Sequence, residues 1–258
     1  MLNAILEKFD YIEVLGRCLI QKFPSIKKKL KKQSKNKNFK EKKELNSLEW
    51  EKYKKAIKSI VGKNSIVLIH SSIDGLSEMG ITVDMLLEFL LTLVNDGNTI
   101  VLPTYPITNL KKQDEKVLNY NVRKTPCWTG MLPNKFLKVP QIVRSKFPYN
   151  TLAAYGPNAE EIMLNNEKAI YVYGENSAWK YCVDHHAKIL FLGVTSLSSN
   201  TIAAHMIPDI LEDEWPIKDW YINSKYHIKD LDEEFDIKIK IQDVDRWAKY
   251  STQHALEK

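Results

Sequence analysis

The spacing of apolar and polar positions changes several times along the chain, most clearly between Ile66 and Tyr105. The run Ile66-Val67-Leu68-Ile69 is apolar without alternation and stops at His70-Ser71-Ser72. Val83, Leu86, Leu87, Leu90, Leu91 and Val94 then recur at helical spacing. Asp96-Gly97-Asn98 ends that helix, and a second unbroken apolar run, residues 99–102, ends at Pro103-Thr104-Tyr105. Two strands apolar on both faces and joined by a helix predict a βαβ unit in a parallel sheet. Ligands of such sheets bind beyond the carboxyl ends of the strands. His70, Ser71, Ser72, Thr104 and Tyr105 are therefore predicted to share one rim, and the candidate active site lies there.

The same reading extends to the rest of the chain. Leu2, Ile5, Leu6, Phe9, Ile12, Leu15, Leu19 and Phe23 form an amphipathic helical pattern that Pro24 ends. Asn46-Ser47 caps a helix over 48–61 that carries Glu49 and Glu51 in its first turn. Residues 109–124 are polar with almost no periodicity and predict a long excursion over the rim. A helix is expected over 133–139, closed by Pro140, then a loop leading into a strand within 143–156 and a short helix over 158–165. Residues 188–194 read as a strand that empties into the hydroxyl-rich stretch 195–201. A helix over 201–210 would then place His205 just past a third strand end. From Ile222, with Phe235, Ile237, Ile239 and Ile241 alternating with charge, the pattern is that of a hairpin, and a terminal helix is expected from Gln242.

Composition changes this picture at one place. The formal charge is +6, but residues 26–43 hold ten lysines against one glutamate. That segment alone carries about +9, so the remainder is close to −3, and the basicity gives no ground for a nucleic-acid partner. Residues 1–45 are read as an amphipathic helix and lysine-rich linker, and residues 46–258 as one catalytic domain. The extension over 1–43 has two readings. It is either a peripheral contact with an anionic membrane surface or a docked helix followed by a solvated linker. No apolar stretch is long enough to span a bilayer, and no secretory signal pattern is present. Cys18, Cys127 and Cys182 are far apart and odd in number, which fits a reducing cytoplasm better than a disulfide framework.

Hydroxyls, main-chain amides and a histidine at three strand ends suit a phosphate-bearing or acyl-bearing cofactor. The Gly-rich patterns of dinucleotide enzymes and of P-loop NTPases are missing from the sequence. Cys127 reads as structural in preference to a nucleophile, and His185-His186 as turn surface in preference to a metal site. His70 and His205 are the two histidines at predicted strand ends.

Several motifs in order resemble one family. They are Ile69-His70-Ser71-Ser72, Val101-Leu102-Pro103-Thr104, Thr125-Pro126-Cys127-Trp128-Thr129-Gly130-Met131-Leu132-Pro133, Arg144-Ser145-Lys146-Phe147-Pro148, Ala153-Ala154-Tyr155-Gly156, Leu190-Phe191-Leu192-Gly193-Val194 and Asn200-Thr201. Together, over residues 48–220, they resemble the aminoglycoside 3-N-acetyltransferases, also called antibiotic N-acetyltransferases. The resemblance implies a three-layer α/β/α sandwich around a central, mostly parallel sheet, here with a C-terminal β-hairpin excursion. It also implies acetyl-CoA as co-substrate and an amine-bearing sugar as acceptor: an aminoglycoside, or an amino sugar of surface-polysaccharide synthesis. His70, Ser71, Ser72, Thr104, Thr125, Trp128, Gly130, Arg144 and Ser145 correspond to cofactor-binding positions, and His205 to the catalytic base. No metal is implied, and monomer and homodimer both remain open.

The chain departs from the family pattern at two sites. The base falls one residue later than the pattern after Asn200-Thr201, and the glutamate expected three residues beyond it is Pro208, with Asp209 next. Asp209, four residues from His205, restores a carboxylate on the same helical face. Phe147 stands where the family has a second histidine near the acceptor. The alternatives are an inactive relative that binds a CoA-like ligand or a lipid, and an acyl-CoA hydrolase.

Overall fold

The computed structural model describes residues 44–107, 117–194, 201–243 and 246. The expected N-terminal helix, the lysine-rich linker and the terminal helix beyond Gln242 lie outside them, Arg246 apart. Helix α1 spans Ser47–Val61, and the Asn46 side chain accepts from the main-chain N–H groups of Leu48 and Glu49, as the sequence predicts for a capped helix. Strand β1, Ile66–Ser71, runs into the short helix α2, Ile73–Ser77. Helix α3, Val83–Thr92, tightens into a 3₁₀ turn over Leu93–Asp96 that Gly97 ends in the left-handed conformation, and β2 follows at Thr99–Pro103. The fully buried Asn98 locks the unit: its Oδ1 accepts from Ser65 N, and its Nδ2 donates to Gly62 O and Leu93 O.

The remaining elements are β3 (Leu118–Asn121), α4 (Met131–Phe136), β4 (Val143–Arg144), β5 (Leu152–Tyr155), α5 (Ala159–Met163), α6 (Ala178–Asp184), β6 (Lys188–Leu192), α7 (Thr201–Leu211), β7 (Tyr221–Asp230) and β8 (Glu233–Gln242). The central five-stranded sheet has the order β4-β5-β2-β1-β6. β1 pairs parallel with β2 on one side and with β6 on the other, and β5 and β4 extend the sheet antiparallel at one edge. Alternate residues of β1 enter opposite cores, because successive side chains leave a strand on opposite faces. Val67 and Ile69 pack with Ile57, Leu86, Phe89 and Phe136 from the layer of α1, α3 and α4. Ile66 and Leu68 pack with Ile162, Met163, Trp179 and Cys182 from α5 and α6, and with Tyr226, Ile228 and Ile239 of β7 and β8.

The hairpin is present as predicted, with Ile222 opposite Ile241 and Ile228 opposite Phe235. A second, three-stranded sheet of order β3-β7-β8 forms because β3 joins it parallel to β7. The sequence reading put β3 inside a loop. Its four residues carry too little periodicity of their own, and their partners lie about a hundred positions away. Helix α6 is likewise new; Ser177 caps it through Lys180 N. Strand β6 stops at Leu192 because Gly193 turns the chain with φ +67°. Among the described residues, no helix is long and apolar enough to cross a membrane.

Helix α2 sits directly on this turn. The N–H of Ser72 donates to Leu192 O, and a Cβ added to Gly75 would lie 2.2 Å from Gly193 O. Gly75→Ala must therefore lift α2 off the end of β6. The expected result is a loss of roughly 2–4 kcal/mol in urea denaturation. An unchanged midpoint would contradict the close approach.

Candidate active site

Parallel register brings the predicted rim together. His70 pairs across from Phe191 and Ser71 from Leu192, so the ends of β1 and β6 are level, with Pro103 closing β2 beside them. A cavity of about 240 Å³ opens at this end, lined by Ile69, His70, Ser71, Tyr105, Trp128 and Thr129 with their neighbours. The His70 ring stacks on Phe191 with centroids 5.3 Å apart and faces Trp179 at 6.4 Å. Its Nε2 is buried without a hydrogen-bond partner among the described residues. Burial without a charge partner pulls its pKa down to about 4, so the ring is neutral near pH 7.

Trp128 is 65% exposed and meets Tyr105 edge-on at 5.5 Å. Its backbone is pinned: Trp128 N donates to Tyr105 O and Ile107 N to Pro126 O, while Thr129 Oγ1 donates to Pro103 O at 2.8 Å. Gly130 follows with φ +124° and open space around it. Ser72, the residue before α2, does not line the cavity; its contribution is the N–H bond that ties α2 to β6.

Thr104, Arg144 and Ser145, expected at the cofactor, lie beneath the rim. Thr104 is 0% exposed and Arg144 only 6%. The guanidinium of Arg144 donates to Thr104 O at 2.7 Å, Thr125 O at 2.6 Å, Val122 O at 3.1 Å and Thr104 Oγ1 at 3.3 Å, and packs on the Tyr120 ring. Its donors hold the loops around it. Ser145 Oγ bonds Asn166 Oδ1 and accepts from Phe147 N. Thr125 Oγ1 accepts from Asn121 N, closing the turn that leads to Trp128. The cavity thus takes His70, Ser71 and Trp128 from the predicted set, while Thr104, Thr125, Arg144 and Ser145 form its support.

His205 and Asp209 lie on α7, as the spacing predicts, but the bonds between them run through Gln242 at the end of β8. Gln242 Oε1 is 3.2 Å from His205 Nδ1, and its Nε2 donates to Asp209 Oδ1 at 3.0 Å. Burial lowers the His205 pKa, opposed by the bond to Gln242. Asp209, 1% exposed, is raised chiefly by desolvation despite accepting from Tyr173 N, Tyr221 Oη and Gln242. The two histidines are linked by a row of rings: His70 to Trp179, Trp179 to Tyr173 at 5.5 Å, and Tyr173 to His205 at 6.5 Å.

Tyr173, Trp179 and Gln242 escaped the sequence reading. The alternating apolar pattern that marks β8 was the only signal for Gln242, and it does not reveal what the strand's last side chain touches. Cys127 is buried, its peptide bonded at both ends by the Asn134 side chain, and burial pushes the Cys182 thiol up to about 12. His185 stacks on Tyr181, and His186 follows with φ +54° in the turn after α6. No group of three or more His, Cys, Asp or Glu side chains suited to a metal occurs among the described residues. Phe147 is buried in the core.

The α/β/α sheet thus brings a histidine with a buried Nε2 to level strand ends, and Gln242 links a second histidine to a buried carboxylate. Residues 68–255 match the sequence pattern of aminoglycoside 3-N-acetyltransferases, well over half of the chain, and the chain belongs to that family. No curated protein matches the sequence. Among solved structures, AAC-VIa bound to sisomicin superposes with a TM-score of 0.64 at 16% identity, covering 80% of this chain and 82% of that one. AAC-IIIb in a binary complex with CoASH gives 0.60 at 17%, covering 75% of each chain. The YokD protein from Bacillus subtilis gives 0.55 at 20%, covering 74% of this chain and 80% of that one.

The pKa of His70 yields a pH-dependent stability. With a folded pKa of about 4 against 6.5 unfolded, the unfolded chain binds more protons between those values. The stability due to neutral His70 is complete above pH 6.5 and is lost as pH falls toward 4. Denaturation at pH 7 and pH 4.5 should show a drop on the order of 2 kcal/mol larger in the native protein than in His70→Phe. Equal drops would mean that the ring is not dry.

Proposed function

We propose that the protein transfers the acetyl group of acetyl-CoA directly to an amino group of a sugar, with aminoglycosides and simpler amino sugars as the acceptor class. The observation that carries this reading is a rim cavity built from the family's motifs, joined through Trp179 and Tyr173 to His205, on the helix that follows β6 and held by an acceptor at Nδ1. His70, Ser71, Thr125, Trp128 and Gly130 border or frame the space for the thioester arm, and Arg144 and Ser145 keep that frame in register. The acceptor amine is mostly protonated near neutral pH and must lose a proton to attack. A neutral His205, kept so by burial, takes that proton at Nε2. The amine lone pair forms the new C–N bond, and the C–S bond breaks with its electron pair leaving on sulfur. No enzyme nucleophile is needed, in keeping with the burial of both described cysteines.

Phe147 replaces a polar family position by a buried ring and so removes a polar contact for an aminoglycoside, which favours an amino sugar used in surface-polysaccharide synthesis. The lysine-rich residues 26–43 suit work near an anionic surface.

Two measurements test the reading. CoA should raise the melting temperature, since a ligand selective for the native state stabilises it by about 2.7 kcal/mol at a hundredfold excess over Kd. A curve unmoved by millimolar CoA contradicts the proposal. His205→Ala should lower kcat/KM by about 10²–10⁴-fold and leave the CoA-induced shift intact. Full activity in that variant would remove His205 as the base.

A further inference from the structure

Gln242 joins the second sheet to the helix that carries His205. It is the last residue of β8 and reaches from the second sheet into α7. Its Nε2 donates twice, to the main-chain oxygen of His205 at 2.6 Å and to Asp209 Oδ1 at 3.0 Å. Both partners are acceptors only, so the amide has one orientation that satisfies them. Oε1 then faces His205 Nδ1 at 3.2 Å. An amide oxygen cannot donate, so Nδ1 carries the hydrogen and the Nε2 of neutral His205 carries the lone pair. Asp209 fixes this arrangement from behind, because Tyr221 Oη and Tyr173 N both donate to it and hold its oxygens in place. Pro208 stands inside α7 where the family has its glutamate and withholds an N–H from the helix ladder, while Gln242 brings a donor to the same turn.

We propose that Gln242 is the positioning residue for the base, setting the tautomer of His205 and relaying to it the charge of Asp209 in place of a direct histidine–carboxylate pair. The inference rests on His205 being the base. As His205 takes a proton at Nε2, the positive charge spreads to Nδ1–H, where the Gln242 oxygen, polarised by Asp209 through the amide, stabilises it. The relay is weaker than a contact with a carboxylate, which agrees with a His205 pKa below the ordinary value. Other titratable groups near this unit are Tyr173, which stacks on His205, Tyr221 on Asp209, and Glu212 beyond the end of α7.

The direct test is the ring-nitrogen NMR signature of His205 in the full-length protein, assigned by its loss in His205→Ala. The native protein should show Nδ1–H with an unprotonated Nε2 near pH 7.5. Gln242→Met, close in shape but unable to make any of the three bonds, should lose this preference and lower kcat by about 10–100-fold. Asp209→Asn should do the same by freeing the amide to turn over. The two changes should be non-additive in the double variant, with CoA-induced stabilisation unchanged throughout. An Nε2–H tautomer in the native protein overturns the proposal even if a variant does not fold. So does a Gln242→Met enzyme with native kcat and pH profile. Failure of the base reading is separable, because it appears as activity retained in His205→Ala whatever tautomer is observed.

Discussion

The guanidinium of Arg144 carries a charge into a place almost closed to water, and the main-chain oxygens of Thr104, Val122 and Thr125 receive it there. Desolvating such a charge costs several kcal/mol unless its donors are met. Those oxygens belong to the end of β2 and to the turn that leads toward Trp128, and the Tyr120 ring of the second sheet lies against the same group. One side chain thus joins the parallel core, the long excursion and the hairpin layer. Moving any of the three would strand a buried charge. Lysine, with no planar fork, is a poor replacement here.

Above that strut, rings partly shield both histidines: His70 stacks on Phe191 and faces Trp179, and Tyr173 stacks on His205. A neutral histidine can accept a proton, and a dry surround strengthens every dipole aimed at the reacting carbonyl. The two demands conflict, since dryness also weakens a base. The hydrogen bond that Gln242 Oε1 accepts at His205 Nδ1 opposes part of that weakening. Under the proposed function, the departure from the histidine–glutamate pattern is a change in how the base is held.

Most of the parallel core was legible in the sequence because its signals are local. Unbroken apolar runs mark buried strands, Asn46 caps α1 with its own side chain, and Gly97 ends the 3₁₀ turn after α3 by taking a conformation that other residues resist. The hairpin announced itself by alternation. What escaped depends on distant partners. β3 becomes a strand only by pairing with β7, and β4 consists of two residues defined by their bonds to β5. At the site, motif position indicated which residues gather at the strand ends, but not which face the cavity and which support it. Arg144 and Thr104 differ from Ser71 and Trp128 in burial, and burial is a property of the assembled layers. Gln242 lies 37 positions from His205, beyond the reach of any local pattern.

The central claim is transfer to an amine, and the most direct measurement is thiol release from acetyl-CoA in the presence of a panel of amino sugars and aminoglycosides, with the acetylated product read by mass. CoA release that requires an amine and matches the product mole for mole is the predicted result. Release at the same rate with no amine would make the protein a hydrolase, and no release with any amine would make it a binding module; either result would contradict the account.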